Sequence, residues 1–410
     1  MSVLNPKFSA QMQLTELQQK IQQTAARMPA AATALPAQAY TDPDFYQWEV
    51  EHIFHKQWLC IGHISQVPKP GDYVNLDLLD ESISIVRGKD NLIRVLSRVC
   101  PHRGMDMMPP GFGHPTEGNR RSFLCPYHHW SYGLDGSLMG APEMQQSEEF
   151  VGGASQKENR EKICLPTFRS EIWQGFIFVT FDSQLEPVST HYARLLPYLE
   201  RWNMAEMNMV ANLKWECQFN WKVLVENFME SYHHLGAHSK TLEPMIPATG
   251  TWAEPELANG IVCHLPLAKS IVEKMKSGQP DQMFAAPSHL QASDRERYSV
   301  CLGTPNFLLF IGPDRVYWYL LLPNSEREMT IHTTLLVTPE SQELPDFDRL
   351  LDREIVALKQ FHLEDVEVCT AVQRGLRSSV YTPGPLGHLE ISVWQFQQYL
   401  ARQIQAVTNK

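Results

Sequence analysis

Short stretches of alternating apolar and polar residues fill the chain between residues 58 and 96. Turn residues such as Pro70-Gly71 separate each stretch from the next. A period of two is typical of strands that bury one face, and closely spaced strands joined by turns favour antiparallel pairing. The pattern therefore predicts an antiparallel β-domain, with strands over Trp58–Ile61, Tyr73–Leu76, Ser82–Val86, Leu92–Leu96 and, as the last one, Trp173–Thr180.

After residue 186, strand-like runs are combined with long stretches of helical periodicity. In the last of these, Leu389, Val393, Phe396, Leu400 and Ile404 share one helical face, which indicates a helix packed on a core. Predicted strands cover Met209–Phe219, Tyr298–Cys301, Phe307–Ile311, Arg315–Leu322 and Met329–Val337, and predicted helices cover Tyr192–Trp202, Phe347–Glu367 and Glu390–Val407. Residues 240–297 lack a clean period, and we expect them to line or cover a pocket. The fold class is therefore α+β.

These patterns divide the chain into an arm and two domains. Residues 1–44 form the predicted N-terminal arm, in which Leu14, Leu17 and Ile21 recur at helical spacing. We expect this arm to pack on a neighbouring surface or to be mobile. Residues 45–185 form the predicted β-domain with a leading helix, and residues 186–410 form the second domain.

Composition excludes several classes of function. The formal net charge of −11 over 410 residues argues against a nucleic-acid binder, which needs a basic surface. The longest apolar run, Val316–Leu322, is far shorter than the ~20 residues that a membrane span needs. The eight cysteines show no paired framework and no secretory signal is evident, so we expect reduced thiols in the cytoplasm.

Cysteine and histidine occur together twice between residues 100 and 128. Cys100-Pro-His102 and Cys125-Pro-Tyr-His128 each offer one thiolate and one imidazole at chelating spacing. Two cysteines and two histidines could hold a structural zinc ion. They could equally hold a [2Fe-2S] cluster in which two histidines replace two cysteines on one iron. His114, in the interval between the two pairs, is a rival ligand that we expect to be solvated.

The flanking residues favour iron. Arg103-Gly104 follows the first pair, and Trp130, Tyr132 and the hairpin dipeptide Asp135-Gly136 follow the second. With these flanks the chain resembles the Rieske family, whose pattern reads C-P-H-R-G and then C-P-Y-H-H-W-S-Y-x-x-D-G. The resemblance implies that Cys100, His102, Cys125 and His128 bind a Rieske [2Fe-2S] cluster.

A second group of candidate metal ligands begins at residue 220. The stretch N-W-K, then E-N-F, then E-x-Y-H-x-x-x-x-H resembles the mononuclear iron site of Rieske non-haem oxygenases. That resemblance implies His233 and His238 as ligands, with His234 nearby as a pocket wall. The C-terminal segment E-D-x-x-x-C-x-x-V-Q-R-G-L implies Asp365 as the third ligand, with Glu364 and Glu367 as rivals. Two histidines and one carboxylate leave open positions for O₂ and substrate.

The family resemblance covers about residues 45 to 400 and implies the rest of the assignment. The expected fold is a Rieske antiparallel β-domain plus a helix-grip (START-like) α/β catalytic domain. The expected cofactors are the cluster and mononuclear Fe(II), with electrons from a separate reductase or ferredoxin. The expected assembly is a homotrimer in which His128 of one subunit meets Glu230 of the next, so that Glu230 bridges the two sites. We expect a terminal oxygenase that hydroxylates or oxidatively dealkylates a small organic substrate.

The substrate is the least determined part of this prediction. Many members carry Asp where Glu230 stands, and the glutamate resembles the branch that acts on quaternary amines. Hydroxylation or cis-dihydroxylation of an aromatic compound is the alternative reaction. The predicted pocket residues are Asn227, Trp252, Phe307, Tyr317 and Tyr319. The faces of the tryptophan and tyrosine rings among them could surround a trimethylammonium group. Two other classes stay open: a non-catalytic Rieske electron carrier, and a zinc-stabilised binding module.

Overall fold

The computed structural model describes residues 6–147, 150, 163–277 and 284–408. The chain forms two compact units. One unit is Cys60–Leu185, and the other combines the described residues before Cys60 with those from Glu186 onwards. The helix that precedes the β-domain in sequence therefore belongs to the second unit, whereas the sequence patterns grouped residues 45–59 with the β-domain. The first residues of the predicted arm, 1–5, lie outside the described part of the chain.

The first unit is built from antiparallel sheets, as the alternating pattern predicted. One sheet has seven strands in the order β1-β10-β9-β4-β3-β2-β5, and a smaller one has three strands in the order β6-β7-β8. Its strands are β1 Leu59–His63, β2 Asp72–Leu78, β3 Glu81–Arg87, β4 Ile93–Ser97, β5 Glu117–Asn119, β6 Phe123–Leu124, β7 Ser131–Tyr132, β8 Leu138–Gly140, β9 Thr167–Trp173 and β10 Phe176–Thr180. The first Cys-His pair follows β4, and the second joins β6 to β7.

The second unit contains a seven-stranded antiparallel sheet in the order β11-β17-β16-β15-β14-β13-β12. Its strands are β11 Asn208–Cys217, β12 Trp252–Ala253, β13 Gly260–Pro266, β14 Arg297–Gly303, β15 Phe307–Ile311, β16 Val316–Ser325 and β17 Glu328–Val337. Cross-strand partners put Tyr317 and Tyr319 of β16 on the same face as Phe310 and Leu308 of β15. This face is the one that the long helix of the unit covers.

Helices complete the second unit. The α-helices are α1 Pro6–Ala25, α2 Gln38–Thr41, α3 Pro43–His52, α4 Val188–His191, α5 Leu196–Leu199, α6 Trp221–Phe228, α7 Lys269–Lys276, α8 Ala292–Arg295, α9 Pro339–Gln342, α10 Phe347–Gly375 and α11 Ile391–Thr408. Phe361 of α10 packs edge-on against Tyr317, at 6.0 Å between ring centroids, and His362 packs against Trp215 of β11 at 4.6 Å. The helix therefore lies across the sheet, as in the predicted helix-grip domain, and the predicted α+β fold is confirmed.

The predicted arm packs on the last helix of its own chain. Helix α1 lies against α11, with Leu17 and Ile21 buried. Side chains of α11 also bond to backbone oxygens that follow α1: Trp394 Nε1 donates to Arg27 O at 2.9 Å, and Gln397 Nε2 donates to Thr33 O at 3.1 Å. The two ends of the described chain are therefore joined by apolar packing and by hydrogen bonds.

Several elements differ from the sequence patterns. The predicted strand Trp173–Thr180 contains a turn at Gln174-Gly175, so the strand is Phe176–Thr180, and its partner β9 was not predicted. The predicted helix Tyr192–Trp202 is broken, because Pro197 lacks an N–H and starts the separate short helix α5. Strand β13 was missed within residues 240–297. Its residues Gly260–Leu265 are all buried, so the strand has no alternation that would distinguish it from a loop or a buried helix segment.

The sequence analysis argued against a membrane span and against a disulfide framework. Among the residues that the structure describes, no helix has both the length and the apolar character needed to cross a membrane. All eight cysteines are described, and none of them forms a disulfide.

Candidate functional site

The two Cys-His loops of the first unit have the same backbone turn. In the first, Cys100 N–H donates to Met105 O and Gly104 N–H donates to Cys100 O. In the second, Cys125 N–H donates to Trp130 O and His129 N–H donates to Cys125 O. The fifth residue of each turn has a left-handed backbone conformation, with φ of 71° at Gly104 and 57° at His129. The backbone of each loop thus fixes its cysteine without help from a distant element.

The two loops place their cysteine thiols next to each other and their histidine rings next to each other. The Cys125 thiol has a raised pKa because of burial first and also because the Cys100 thiol lies beside it. The His102 and His128 rings lie 4.7 Å apart. The Tyr132 hydroxyl lies 3.2 Å from Cys100 Sγ, close enough for a hydrogen bond to sulfur. A thiol pair next to an imidazole pair is the donor set that a two-iron cluster needs when one iron takes two cysteines and the other two histidines.

Single-zinc binding does not fit this arrangement. A tetrahedral ion with bond lengths of about 2.0–2.3 Å needs its donor atoms within about 4 Å of one another. In the described part of the chain, the ligand atoms of His233, His238 and Asp365 all lie within 4.8 Å of one another. The four loop residues do not form a group of three or more donors that meets this limit. His114 takes no part in the loop site; its Nδ1 lies 3.0 Å from Arg120 Nη2. The residues present fit a [2Fe-2S] cluster and not a structural zinc.

Aromatic rings orient the loop imidazoles. His102 stacks on Trp130 at 4.4 Å with 4° between the planes, and Tyr127 lies 3.7 Å from His128. Arg103 lies over the Tyr127 ring at 5.3 Å. Burial, followed by the neighbouring His128, lowers the pKa of His102. Both imidazoles are therefore held by ring contacts, and the lowered pKa of His102 favours the neutral form that binds a metal.

The second site is assembled from segments about 130 residues apart. His233 belongs to the 3-10 turn Tyr232–Leu235 that follows α6, and His238 comes five residues later. Asp365 comes from the middle of α10. Its Oδ1 lies 2.9 Å from His238 Nε2 and 3.5 Å from His233 Nε2, so all three ligand atoms fall within 4.8 Å. Two histidines and one carboxylate at this spacing fit a mononuclear Fe(II) site with open positions.

Each of these imidazoles is held by a glutamate. His233 Nδ1 lies 2.7 Å from Glu230 Oε1, and His238 Nδ1 lies 2.7 Å from Glu364 Oε2. Thr241 Oγ1 also donates to the same Glu364 oxygen at 2.6 Å. A carboxylate at Nδ1 places the proton there and leaves the Nε2 lone pair free for a metal. Glu364 therefore contacts a predicted ligand, His238, on the ring nitrogen that does not face Asp365, whereas the sequence analysis kept Glu364 as a rival ligand. The other rival, Glu367, is exposed.

The charges of the site favour an ionised Asp365. Burial raises its pKa, but the close approach of His238 and the nearby His233 outweigh burial and leave the pKa below its ordinary value. For His238, burial lowers the pKa, and the bonds to Asp365 and Glu364 reverse the shift. Burial and the neighbouring His233 lower the pKa of His234 to about 4, and its Nδ1 lies 2.9 Å from Ile246 O. His234 is thus a neutral wall of the pocket, as predicted.

A small cavity opens beside the three ligands. It measures about 40 Å³ and its lining includes Asn227 and Tyr319, two of the predicted pocket residues. Tyr317 lines a second, larger cavity next to it. Phe307 and Trp252 are not among the residues that line these two cavities, and their place in the pocket stays a prediction.

Strand parity accounts for the position of Phe307. Residues 308 and 310 of β15 pair with Tyr319 and Tyr317, so Phe307 points to the opposite face of the sheet. Trp252 lies at the sheet edge, 43% exposed, against His264 and Arg297.

Helix α6 is anchored by buried charged groups, which accounts for the motif that precedes the ligands. Asn220 caps the helix by accepting from Lys222 N–H, and Lys222 Nζ lies 2.7 Å from Glu49 Oε1, with both side chains fully buried. The Tyr40 hydroxyl donates to Glu226 at 2.7 Å. These contacts join α6 to the segment α2–α3, and so fix the helix end from which Glu230 and His233 extend.

Comparison with known families matches both units. The model of the ring hydroxylating alpha subunit catalytic domain matches residues 204–406, and the Rieske [2Fe-2S] domain model matches residues 57–168. Among solved structures, the quaternary ammonium Rieske monooxygenase CntA superposes with a TM-score of 0.76 over 94% of this chain and 98% of that chain. The identity is 24%, so this match supports the fold alone.

Curated relatives are similar over different lengths. The carnitine monooxygenase oxygenase subunit of Acinetobacter baumannii is 34% identical over 216 residues, which is 51% of this chain and 54% of the relative. The chain thus aligns with about half the length of that relative. The glycine betaine monooxygenase oxygenase subunit of Chromohalobacter salexigens is 26% identical over 405 residues, covering 90% and 86% of the two chains.

Proposed function

Because this chain belongs to the ring-hydroxylating oxygenase alpha subunits that carry a Rieske [2Fe-2S] domain, we propose that it is the terminal oxygenase of a Rieske system. It would use O₂ and electrons from a separate reductase or ferredoxin to oxidise a small organic substrate. The observation that carries this proposal is the mutual approach of His233, His238 and Asp365 beside a cavity. An electron carrier has no use for a second metal site that opens onto a cavity.

The side chains around the triad have distinct roles in this proposal. When bound, the cluster and the iron supply one-electron transfer and activation of dioxygen. Glu230 and Glu364 hold the two imidazoles at Nδ1 and keep each Nε2 facing Asp365. Leu224, Phe228, Leu265 and Val300 line the cavity and exclude water from the reacting carbon.

A quaternary amine is the substrate class that we propose. Two relatives are oxygenase subunits of carnitine monooxygenase and glycine betaine monooxygenase, and both of these compounds are quaternary amines. The pocket adds aromatic faces near the triad, with Phe228 and Tyr319 at 4.9 Å from each other. Hydroxylation of an aromatic compound is the alternative, because the same faces can pack an aromatic ring.

We further propose assembly as a homotrimer, in which His128 of one subunit meets Glu230 of the next. Glu230 is 9% exposed, and Tyr232 and Leu235, immediately after it, are about half exposed. Exposed apolar side chains next to a charged group are typical of an interface core with a polar contact. A cytoplasmic location stays a prediction from the sequence.

Metal content tests the function most directly. We expect three irons and two acid-labile sulfides per chain after anaerobic purification. The Asp365→Ala variant should lose one iron, keep both sulfides and keep the visible spectrum of the cluster. Two irons in the wild-type protein, with no oxygen uptake after Fe(II) is added, would instead support an electron carrier, and zinc without iron would support a binding module.

The role of Glu230 has a separate test. The Glu230→Gln variant should retain all three irons, but its reduced cluster should be oxidised more slowly by O₂ and substrate in a single turnover. A single-turnover rate equal to that of the wild-type protein would contradict the bridging role. Screening of substrates should pair quaternary amines with aromatic acids, using one reductase for both sets.

A further inference from the structure

The two histidines of the triad each have a carboxylate partner on the ring nitrogen that faces away from Asp365. These partners are Glu230 for His233 and Glu364 for His238, each at 2.7 Å from Nδ1. With its proton on Nδ1, each imidazole presents a lone pair at Nε2 and offers Asp365 no donor. Both imidazoles approach Asp365 at Oδ1, so Oδ2 takes no part in either contact. Since ligating carboxylates are themselves held by hydrogen bonds, we expect a donor to Asp365 from outside the triad.

His362 is a buried imidazole whose two ring nitrogens are both unpaired. It is 0% exposed, and neither Nδ1 nor Nε2 has a hydrogen-bond partner among the residues that the structure describes. Other buried histidines differ, because His234 Nδ1 lies 2.9 Å from Ile246 O and His264 Nε2 lies 3.0 Å from Glu254 Oε1. Polar atoms buried without partners cost free energy, which a phenylalanine or leucine at the same place would avoid. The imidazole therefore indicates a role other than filling the core.

Helix α10 places His362 beside Asp365. The two residues are three positions apart, a spacing at which helical side chains are neighbours, with about 5–6 Å between their β-carbons. A separation of three also joins Glu230 to His233, at 2.7 Å between a carboxylate oxygen and Nδ1. Burial lowers the pKa of His362 to about 4, and the negative charge of Asp365 opposes that shift. The carboxylate is therefore close enough to act on the ring.

The surroundings of His362 determine what the ring can offer. A neutral imidazole has one N–H donor and one acceptor nitrogen, and a nearby negative charge favours the tautomer whose N–H faces it. Trp215 and Tyr319 lie 4.6 Å and 5.6 Å from the imidazole, between ring centroids, and restrict its position. Trp215 Nε1 donates to Thr333 Oγ1 at 2.9 Å, so that N–H is engaged elsewhere. The donor of His362 is therefore directed towards the carboxylate.

The step from proximity to a hydrogen bond is small. His362 and Asp365 do not form a hydrogen bond in the structure. Rotation of the carboxylate about its Cβ–Cγ bond moves Oδ2 without moving the helix, and side chains at this spacing are within reach of each other. Oδ1, which faces both imidazoles, is the atom placed for ligation, and Oδ2 is the acceptor that remains.

We propose that His362 is the positioning residue for Asp365, and that it donates a hydrogen bond to Oδ2 when Oδ1 ligates the mononuclear metal ion. Each of the three ligands is then held by one outer partner. His362 is not among the residues that line the cavity beside the triad, so it acts through the ligand and not on the substrate. This inference rests on the proposed function, since it takes the triad as a metal site.

Co(II) affinity tests this role in the full-length protein, after chelation has removed the mononuclear metal and left the cluster in place. In His362→Phe, which keeps a buried ring, Co(II) should bind at least about tenfold more weakly, because the carboxylate loses its donor. His362→Asn and His362→Gln place an amide N–H near the positions of Nδ1 and Nε2. At least one of them should restore the affinity to within about threefold of the wild-type value. Recovery in neither variant, or an unchanged affinity in His362→Phe, would overturn the proposal.

Two further measurements separate positioning from packing. The oxidised cluster gives no EPR signal, so the spectrum of bound Co(II) reports the ligand field at the triad. This spectrum should change in His362→Phe and return towards that of the wild-type protein in the amide variant that restores affinity. The melting temperature of the metal-depleted protein should not fall in His362→Phe, because a phenyl ring leaves no unpaired polar atom in the core. A lower melting temperature with an unchanged Co(II) spectrum would make His362 a packing residue and overturn the proposal.

His264→Phe is the matched control. His264 is also buried, at 2% exposure, but its ring nitrogens are paired with Ser299 and Glu254. Its replacement leaves those partners unpaired, so the melting temperature should fall while the Co(II) affinity stays within about threefold of the wild-type value. A loss of Co(II) affinity as large as that in His362→Phe would mean that general destabilisation weakens the site, and would overturn the proposal.

The same titration distinguishes this inference from the proposed function. Co(II) binding that Asp365→Ala abolishes and His362→Phe leaves unchanged would overturn the role of His362 and leave the oxygenase intact. A wild-type protein without a Co(II) site that depends on Asp365 would overturn the oxygenase, and with it the role of His362.

Discussion

The two metal sites hold their histidines by different means. In the loop site, His102 and His128 are oriented by rings, chiefly the stack of His102 on Trp130 at 4.4 Å. In the triad, His233 and His238 are oriented by carboxylates, each at 2.7 Å from Nδ1. The loop site is also local, with its four donors within 29 residues, whereas the triad joins α10 to a segment about 130 residues earlier.

This difference shows which parts of the molecule each site depends on. The loop site rests on two turns that close their own backbone hydrogen bonds. The triad rests on the placement of α6 and α10, and α6 in turn rests on charged groups buried beneath it. Substitutions in those charged groups should therefore affect the triad and the second unit and leave the loop site intact.

The largest expected effect comes from the buried ion pair under α6. Lys222→Met leaves Glu49 buried without its partner, which should lower the free energy of unfolding of the second unit by about 3–5 kcal/mol. Urea unfolding followed by tryptophan fluorescence measures this change, while the visible absorption of the cluster should persist in the native variant. Lys214→Met, an exposed lysine paired with Glu216, should cost no more than about 1 kcal/mol. Equal losses of unfolding free energy in the two variants would mean that the buried ion pair contributes no more to stability than the exposed one.

Glu226 should make the stability of the second unit depend on pH. Burial raises its pKa from 4.5 to about 7, against the bond from Tyr40, which lowers it. Between these values the native state keeps a proton that the unfolded state releases, so stability should fall as the pH rises from 4.5 to 7, by about 2–3 kcal/mol. Glu226→Gln should flatten this slope in unfolding measurements at several pH values.

Tyr40→Phe is the contrasting variant for that experiment. It removes the hydrogen bond that stabilises the ionised Glu226, so the slope should become steeper instead of flatter. The same slope in both variants would assign the pH dependence to other groups.

Glu364 should affect metal affinity at the triad alone. Glu364→Ala removes the acceptor at His238 Nδ1, and loss of such a partner weakens metal binding about 10–100-fold. Titration with Co(II), together with iron and sulfide analysis, would show a weaker mononuclear site and an unchanged cluster. Thr241→Val, which removes only the other donor to the same oxygen, should have the smaller effect. An unchanged Co(II) affinity in Glu364→Ala would refute the orienting role.

The smallest expected effect tests the equivalence of the two loop turns. His129 has the left-handed backbone that Gly104 has in the first loop. His129→Gly should stabilise the first unit by about 0.5–1 kcal/mol, because the strain of the β-carbon is removed. Gly104→Ala should cost about 1 kcal/mol through the backbone alone, since a β-carbon there meets no atom within 4 Å. Thermal unfolding monitored by cluster absorption measures both changes.

Local sequence predicted more of the loop site than of the triad's surroundings. The spacing from Cys100 to His128 was enough to select donors that the structure brings together. Asp365 was also selected, but its neighbour Glu364 was left as a rival, because sequence does not show which way each carboxylate of a helix points.

Differences between the sequence patterns and the sheet have a similar origin. Phe307 was placed in the pocket although strand parity turns it to the opposite face, and one residue of register separates it from Leu308. Strand β13 was not predicted because both of its faces are buried and its sequence therefore lacks alternation. The architecture itself was predictable, because the alternation before residue 96 and the long helical periods after residue 347 leave few other folds.

The contact between α1 and α11 has a consequence for biosynthesis. The second unit is discontinuous, so its early segments, including Tyr40 and Glu49, emerge from the ribosome long before Glu226, Lys222 and the last helix. The intervening Cys60–Leu185 is continuous and can fold as soon as it is made. Some 220 further residues then take roughly 10–45 s to synthesise. The iron–sulfur domain can thus mature on a nascent chain whose catalytic half is not yet closed.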